Sequence, residues 1–403
     1  MKPIIIVGAG LAGYTVAREF RKLDKTRPLL IITNDDGGFY SKPMLSNALA
    51  QGKTAQQLTS QSATQMASQL DATILTAMPV LDIDSENKTV TTTDGARAFE
   101  KLVIAVGATP IRIPLEGDAA NQVLSVNHLN HYHAFRTRLS EKPVSTKGRV
   151  AILGAGLIGC EFADDLAGAG YMVTLIDPNR VPLAAIAPPA LSQGMADSLR
   201  ARGISLRLGT TARKISHTDD GIQVQLADES TVTVDLVLSA VGLRPDLALA
   251  KAARLATERG ILVDAFGQSS ARDIYAVGDC AEYTFGDGVT RTLPYIAPLM
   301  TAARAIARTL SGTATPIALN PAPVIIKTPC YPLAVVPPPM HALATGAWRN
   351  SKHGNALVSR FHDQHGVILG FGVAPQQAAI RQQLLDELGK PGAVQAIVDA
   401  AAI

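Results

Sequence analysis

Residues 152–162 read ILGAGLIGCEF, and residues 6–14 hold a similar phrase, IVGAGLAGY. Each is a short apolar run, typical of a buried parallel strand, that leads into the pattern GxGxxG and then into a helix-forming stretch. In this pattern the first glycine permits a tight turn, the second lets the backbone approach a pyrophosphate, and the third lets the helix pack on the strand. The helix N-terminus then offers free N–H groups to the phosphates. The sequence therefore predicts two dinucleotide sites, whose turns consist of Gly8, Gly10, Leu11, Ala12 and Gly13 in the first copy and Gly154, Gly156, Leu157, Ile158 and Gly159 in the second.

The two copies continue alike. After the turn, each shows a helix, a second strand (29–33 and 172–176), a hairpin, and a closing strand. The closing strands end near Gly107 and Gly242, which are two further candidate cofactor residues. From the first glycine to this closing glycine is 99 residues in one copy (107 − 8) and 88 in the other (242 − 154). This repetition predicts an α/β chain with two Rossmann-like domains.

Size and composition narrow the function classes. A chain of 403 residues has room for two or three domains. The formal net charge of +3 is too small to favour binding of nucleic acid or a membrane surface. We find no uncharged apolar run of about 18 residues, the length that a membrane span needs, and the first strand starts too early to leave room for a signal peptide. We therefore expect a cytoplasmic protein.

The three cysteines, at positions 160, 280 and 330, are far apart and form no CxxC motif or metal-ligand spacing. This spacing excludes chemistry through a CxxC-like disulfide and favours small buried thiols. We therefore expect no metal site.

The residue at the end of the second strand of each copy predicts which nucleotide binds there. Asp177 can accept hydrogen bonds from both ribose hydroxyls and would repel a 2′-phosphate, which favours NADH over NADPH. Arg180 lies nearby and could accept a phosphate, so NADPH stays open. The first copy has Thr33 and Asn34 at this position, with acids only beyond them.

Residues 273–282, DIYAVGDCAE, resemble the FAD-ribityl signature of the pyridine nucleotide–disulfide oxidoreductase superfamily. The resemblance covers about residues 1–315 and implies that the first copy binds FAD, with Asp279 holding the ribityl chain. It also implies that a helix over 294–310 directs its N-terminus at the flavin pyrimidine edge, where the helix dipole stabilises negative charge on the reduced flavin. The second copy then binds NADH.

Two further stretches narrow the resemblance. YSKPMLS at 40–46 lacks the redox cysteine pair of the disulfide reductases, and PVIIKTPCYPL occupies 323–333. Together with the second glycine turn, these stretches resemble the corresponding stretches of the bacterial rubredoxin–NAD reductases. The nitric-oxide-linked flavorubredoxin reductases are closely related to that group. The resemblance implies hydride transfer from NADH to FAD, then single-electron transfer to rubredoxin, a small acidic iron protein. It also implies that FAD is contacted by Lys42, Val80, Glu161, Asp279, Ile296 and Lys327.

Other acceptors and one other class of protein remain open. The acceptor could be flavorubredoxin or a ferredoxin. The chain could also be a regulatory NADH-binding flavoprotein that resembles apoptosis-inducing factor, although its nucleic-acid-binding forms would need a stronger basic balance than +3.

Lys42 and Glu161 are the candidate catalytic residues. A lysine beside a flavin can hold its N5/O4 edge, and a buried lysine needs a partner, which Glu161 could supply. The alternatives are a solvated loop lysine and an ordinary acid in the first turn of a helix.

The organisation predicted for the chain has three domains. They are an FAD domain over 1–112 and 246–317, an NADH domain over 113–245, and a smaller α+β domain over 318–403 with antiparallel strands and helices at 375–388 and 393–401. The first helix carries Arg18, Arg21, Lys22 and Lys25, either as a solvated face or as a docking surface for an acidic partner.

Overall fold

The computed structural model describes residues 1–141, 148–285 and 288–392. Its helices are α1 (Leu11–Leu23), α2 (Ala55–Leu58), α3 (Ala63–Leu70), α4 (Leu129–Ser140), α5 (Leu157–Gly168), α6 (Pro189–Ala201), α7 (Ala248–Ala252), α8 (Ile296–Leu310) and α9 (Ala378–Glu387). Its strands are β1 (Ile4–Val7), β2 (Leu29–Ile32), β3 (Phe39–Tyr40), β4 (Thr59–Gln61), β5 (Thr73–Leu75), β6 (Val80–Asp84), β7 (Thr89–Thr92), β8 (Gly95–Ala98), β9 (Lys101–Ile104), β10 (Ala108–Pro110), β11 (Leu124–Ser125), β12 (Arg149–Leu153), β13 (Met172–Asp177), β14 (Ser205–Leu208), β15 (Ala212–Thr218), β16 (Gly221–Leu226), β17 (Thr231–Val234), β18 (Leu236–Ser239), β19 (Leu243–Pro245), β20 (Ile261–Val263), β21 (Ile274–Ala276), β22 (Ala281–Thr284), β23 (Thr290–Thr292), β24 (Val324–Ile326), β25 (Leu333–Val336), β26 (Ala347–His353), β27 (Ala356–His362) and β28 (Ile368–Ala374).

The chain divides into two compact units. The first comprises Met1–Pro114, Leu124–Lys142 and Val241–Asn320, and the second comprises Leu115–Val123, Pro143–Ala240 and Pro321–Ile403. The second unit therefore combines the part predicted to bind NADH with the C-terminal part. Helix α4, which the predicted boundaries assign to the NADH domain, belongs to the first unit. The three predicted domains stay a prediction.

The first unit is built on a parallel sheet in the order β21-β9-β1-β2-β5. Its central strand β1 is fully apolar and buried, as expected for a parallel strand covered on both faces. Helix α1 follows β1 directly, and its buried residues include Tyr14, Val16 and Phe20. Because β1 ends at the first glycine turn, the carboxyl edge of this sheet carries the predicted FAD turn.

The second unit repeats this arrangement. Four of its strands are parallel in the order β18-β12-β13-β14. Strand β12 ends at the second glycine turn, and α5 begins directly after it. Most of the residues of α5 are buried, including the acids Glu161, Asp164 and Asp165, and acids are rarely buried without a partner.

A five-stranded antiparallel sheet completes the second unit in the order β24-β25-β28-β27-β26. Helix α9 covers one face, where Ile380 and Leu384 pack against the core cluster that includes Val358 and Phe371. On the other face, Gly372 lies against Pro188 and Leu191 of the nucleotide part. The sheet is therefore covered on both sides.

Most predicted elements are confirmed, and the differences have physical causes. The sequence predicts the first helix over 14–23, but the helix begins at Leu11, because the last glycine of the turn is already helical. The sequence predicts C-terminal strands within 322–339, 356–363 and 366–374, and it misses β26. The sequence of β26, AWRNSKH, lacks apolar alternation, because β26 is an edge strand whose side chains are mostly exposed. The C-terminal helix begins at Ala378, after a cis Ala374–Pro375 bond. The helix predicted over 393–401 lies outside the described residues.

Candidate functional site

The first glycine turn is tightly packed on the protein side and open on the other. Gly8 has a φ of +110°, and a Cβ there would overlap with the carbonyl oxygen of Ala105. A Cβ on Gly13 would overlap with the carbonyl oxygen of Gly8, whereas one on Gly10 would have no neighbour within 4 Å. Helix α1 starts at this turn with no side-chain cap. Its free N–H groups therefore face open space, an arrangement that fits a pyrophosphate.

Lys42 and Asp279, both predicted to contact FAD, form an ion pair in the first unit. Their Nζ and Oδ2 atoms are 3.5 Å apart, and the two side chains are 36% and 20% exposed. Lys42 begins a 3-10 helix over Lys42–Asn47, and Asp279 lies in a 3-10 turn over Gly278–Cys280. The structure thus brings together two residues that are 237 positions apart, and the sequence did not predict this pair.

The Asp279 turn also approaches the glycine turn. A Cβ on Gly278 would lie 2.9 Å from the Cβ of Ala12 and 3.6 Å from the side chain of Leu299. Leu299 belongs to α8, whose first residue, Ile296, is 45% exposed and whose N-terminus has no side-chain cap. Three predicted FAD elements therefore converge: the end of the first glycine turn, the Asp279 turn and the start of α8.

Two buried polar atoms near this region lack a hydrogen-bond partner among the described residues: Oδ1 of Asn127 and Nδ1 of His131. Asn127 donates through its Nδ2 to the carbonyl oxygen of Ala108, which follows the predicted cofactor residue Gly107. Buried polar atoms nearly always have partners, so these two atoms are the kind of observation that a bound group explains. Sequence reasoning missed both residues, because an isolated Asn-His pair has no motif.

The ring of His131 also stacks on that of His128, with ring centroids 3.5 Å apart. Burial lowers the pKa of both imidazoles. His128 is the N-cap of α4, and the next N–H, that of Leu129, donates to the hydroxyl of Tyr40 at 3.2 Å. The start of α4 is therefore fixed beside the segment that carries Lys42.

The second glycine turn has the geometry of the first. Gly154 has a φ of +104°, a Cβ on Gly159 would overlap with the carbonyl oxygen of Gly154, and Gly156 is open. Helix α5 again begins without a side-chain cap. Its second residue, Ile158, is 40% exposed. This turn also fits a dinucleotide pyrophosphate.

Asp177, the last residue of β13, has a structural role that the sequence did not predict. Its Oδ2 accepts a hydrogen bond from the N–H of Ala155 at 2.6 Å, within the glycine turn. Its Oδ1 accepts from the backbone N–H and the side-chain amide of Asn179 at 2.8 and 2.9 Å. A carboxylate has about four acceptor sites, so these three bonds leave about one for a ribose hydroxyl. Asp177 can therefore accept about one hydrogen bond from ribose, not the two that the sequence predicts. The side chain of the neighbouring Arg180 is exposed.

Glu161 and Asp164, buried acids on α5, hold the segment that follows β24. The Oε1 of Glu161 accepts from the backbone N–H of Lys327 at 2.8 Å, and the Oδ2 of Asp164 accepts from that of Cys330 at 3.0 Å. Asp164 also forms an ion pair with Arg202 at 3.1 Å. Both acids therefore anchor backbone, and the exposed side chain of Lys327 is carried on the anchored segment.

The predicted pairing of Lys42 with Glu161 stays a prediction, because the two residues belong to different units. What the structure does give is a separate partner for each. Lys42 pairs with Asp279, and Glu161 binds the amide of Lys327.

The remaining predicted cofactor residues lie at strand ends. Thr33 is buried and donates to the carboxylate of Asp35 at 2.6 Å, Asn34 is exposed, and Val80 begins β6. The closing glycines of the two copies meet in the first unit, because β10 after Gly107 and β19 after Gly242 pair antiparallel.

The three cysteines are free, as predicted. Burial raises the pKa of the Cys280 thiol to about 11, and burial together with Asp164 raises that of Cys330 to about 12. Burial raises the pKa of Cys160 further. All three are therefore protonated near neutral pH and poorly suited to nucleophilic chemistry.

The basic side chains of α1 are largely used within the first unit. Arg21 donates to the carbonyl oxygens of Asp24, Arg27, Leu70 and Asp71, and Arg18 donates to Gln61 and lies 4.1 Å from the centre of the Phe39 ring. Lys22 pairs with Glu19. Lys25 lies beyond the end of α1 at Leu23, so the helix carries only three of the four predicted cations. These contacts are evidence against α1 as a docking surface, because Arg18 and Arg21 are fixed by the protein's own groups and Lys22 pairs with Glu19.

Comparison with known proteins shows the family. Residues 2–307 match the family described as pyridine nucleotide-disulphide oxidoreductase. The chain belongs to this family. Residues 316–388 match a second family, described as rubredoxin binding C-terminal domain. The fold class predicted from the sequence is thereby confirmed, and FAD and NADH are the cofactors that membership implies.

Among full-length relatives of this family, the chain is 42% identical over 389 residues to the Rubredoxin-NAD(+) reductase of Alcanivorax borkumensis, covering 96% of this chain and 99% of that protein. It is 39% identical over 391 residues to the nitric oxide reductase FlRd-NAD(+) reductase of Aeromonas salmonicida, covering 96% of each. The crystal structure of a ferredoxin reductase from Rhodopseudomonas palustris superimposes with a TM-score of 0.86 at 25% identity, covering 97% of this chain and 96% of that one. In the described part of the chain, no helix combines the length and apolarity needed to cross a membrane.

Proposed function

We propose that this protein is an NADH-dependent FAD flavoprotein that reduces rubredoxin. The observation that carries the proposal is the combination, in one chain, of two open dinucleotide turns with a match to the rubredoxin-binding domain. When bound, FAD would accept a hydride from NADH and release the electron pair singly to the iron protein. The cysteines are free and the pKa values of their thiols are raised, so the proposed electron transfer includes no thiol step.

In the first unit, we assign FAD positioning to three groups. The N–H groups at the start of α1 bind the pyrophosphate, and Asp279 binds the ribityl chain, as the family resemblance implies. Lys42 supplies positive charge beside Asp279 and compensates that carboxylate. The uncapped start of α8, at Ile296, contributes the positive end of a helix dipole. Asn127 and His131 would then satisfy their buried polar atoms against the cofactor.

In the second unit, the N–H groups at the start of α5 bind the NADH pyrophosphate, and Asp177 binds one ribose hydroxyl while it holds the turn through Ala155. A 2′-phosphate would place negative charge against this carboxylate, so NADH is favoured over NADPH. Glu161 and Asp164 position the segment that carries Lys327.

An acceptor screen tests the proposal. The purified protein, loaded with FAD, is given NADH without oxygen, and its rates are compared for rubredoxin, flavorubredoxin and a ferredoxin. We expect rubredoxin to be reduced fastest at equal concentration. A flavorubredoxin rate that exceeds it would favour the function named for the Aeromonas relative, which is the second candidate. Slow turnover with every acceptor would contradict the proposal and favour a regulatory NADH-binding flavoprotein.

We also propose that the protein works in the cytoplasm. The support is its three unpaired thiols, since reducing compartments keep cysteines in this state.

A further inference from the structure

The C-terminal sheet has two ends, and antiparallel pairing decides which segments meet at each. At one end lie residues 327–332, 354–355 and 375–377, because Ile326 pairs with Leu333, His353 with Ala356, and Leu357 with Ala374. We call this the Lys327 end. Residues 337–346 and 363–367 lie at the opposite end. The two ends are separated by roughly 13 Å along the four-residue strand β25 and by roughly 23 Å along the seven-residue strands β26, β27 and β28.

The Lys327 end is basic. Lys327, Lys352 and His353 are exposed there, and Arg381 is half-buried in the first turn of α9. The segments 324–336, 351–357 and 374–381 contain no Asp or Glu. The acids of residues 316–388 lie outside these three segments: Asp363 is in the turn at the opposite end, and Asp386 and Glu387 are in the last turn of α9.

Acids near this end are compensated by cations. Glu387 forms an ion pair with Arg360 at 2.6 Å, with both side chains partly buried. On the nucleotide part, Asp164 pairs with Arg202, and Asp197 pairs with Arg200 at 3.0 Å. Burial, and after it the charge of Asp197, raises the pKa of Tyr331, so Asp197 lies near this end. The Lys327 end therefore presents net positive charge to an incoming protein.

We propose that the Lys327 end is the face on which rubredoxin docks, with the cation Lys352 and the neighbouring His353 in contact with its acidic surface. The proposal rests on the proposed function and adds a site to it. The end lies within the region that matches a rubredoxin-binding domain. The charge is complementary to an acidic partner, which raises the association rate more than the affinity.

Edge strand β26 makes this face accessible. Lys352 and His353 are the last residues of β26, whose outer side has no neighbouring strand in the sheet order. The tight turn at Gly354, with a φ of +61°, holds these side chains at the end of the sheet. A partner can therefore contact them without displacing another strand of this sheet.

The test compares two charge reversals of the full-length, FAD-loaded protein. Lys352→Glu lies on the proposed face. Lys390→Glu makes the same change in charge at the opposite end, where the carbonyl oxygen of Lys390 accepts from the N–H of Ile368. The second-order rate of rubredoxin reduction and the rubredoxin association rate are measured at low and high salt. Ferricyanide reduction by NADH reports the flavin chemistry without protein docking.

We expect Lys352→Glu to slow rubredoxin reduction about three- to tenfold at low salt, with the difference shrinking at high salt as charges are screened. Lys390→Glu should change the rate of rubredoxin reduction little, and neither reversal should change the rate of ferricyanide reduction much. Lys352→Gln should slow rubredoxin reduction by an intermediate factor. Equal effects of the two reversals, or no effect of either, would overturn the docking face while leaving the proposed function intact. A wild-type protein that reduces ferricyanide but not rubredoxin would overturn the proposed function, and the docking face with it.

Discussion

The Oε1 atom of Glu161 accepts a hydrogen bond from the backbone N–H of Lys327 at 2.8 Å, across 166 positions of the sequence. Asp164 repeats the arrangement with the N–H of Cys330, also 166 positions away. Because the acids and the amides are both three residues apart, α5 and the segment after β24 are joined at two points. This explains why the second glycine turn, unlike the first, is followed closely by acids: they fasten the C-terminal sheet to the nucleotide-binding helix.

Removing this anchor should destabilise the second unit. Glu161→Ala leaves the amide of Lys327 without its carboxylate acceptor, and an unsatisfied buried donor costs about 1–3 kcal/mol. Glu161→Gln keeps an acceptor oxygen and should cost less. The free energy of unfolding in urea measures both. Asp197→Asn is the control, since this exposed acid makes a surface ion pair that is worth at most about 1 kcal/mol. If Glu161→Ala costs no more than the control, the anchor is not important for stability.

Asp177 should determine the preference for NADH. Asp177→Ala should remove the proposed charge-assisted contact to ribose, which corresponds to about 1.5–3 kcal/mol of NADH binding. It should also loosen the turn that Asp177 holds through Ala155. NADPH should lose less, since repulsion of its phosphate is relieved. Dissociation constants for both nucleotides check this, and Arg180→Ala shows whether that exposed guanidinium supports NADPH. Equal losses for the two nucleotides would mean that Asp177 acts only on the turn.

Lys42 should act together with acids in binding FAD. We expect Lys42→Ala and Asp279→Ala each to weaken FAD retention, and the double variant to be less than additive, with a coupling of about 0.5–3 kcal/mol. The same cycle with Glu161→Ala tests the pairing predicted from the sequence. FAD dissociation constants give both couplings. Additive effects for Asp279 would separate it from Lys42 despite the 3.5 Å ion pair.

The thiols should be catalytically silent. Single replacements of Cys160, Cys280 and Cys330 by alanine or serine should leave rubredoxin reduction largely intact wherever the protein folds. Because burial and Asp164 raise the pKa of Cys330 to about 12, its alkylation rate should keep rising with pH beyond the pKa of an ordinary thiol, since the thiolate is the reactive form. A selective loss of turnover with FAD content and stability unchanged would show that a thiol takes part.

The sequence was sufficient for features that depend on local pattern. Both glycine turns, the buried parallel strands β1 and β13 and the helices that follow the turns were predicted, because GxGxxG and apolar runs are local signals. The structure shows why the third glycine of each turn is needed. A Cβ on Gly13 would overlap with the carbonyl oxygen of Gly8, and a Cβ on Gly159 would overlap with that of Gly154.

Features that depend on distant partners could not be predicted. The Lys42–Asp279 pair and the anchor of Glu161 on Lys327 join residues far apart in sequence, and no spacing marks them. Strand β26 was missed because an exposed edge strand needs no apolar alternation. Arg18 and Arg21 look like a solvated or docking face in sequence, and only the fold shows the groups that they bind.

The most direct test of the account is a single-turnover experiment. The FAD-loaded protein is reduced without oxygen by one equivalent of NADH and mixed with excess oxidised rubredoxin, and the absorbance of both proteins is followed. We expect reoxidation of FAD with reduction of two rubredoxins per flavin, and the same result in a variant in which Cys160, Cys280 and Cys330 are all replaced. Flavin that is reduced by NADH but reduces no rubredoxin would contradict the account.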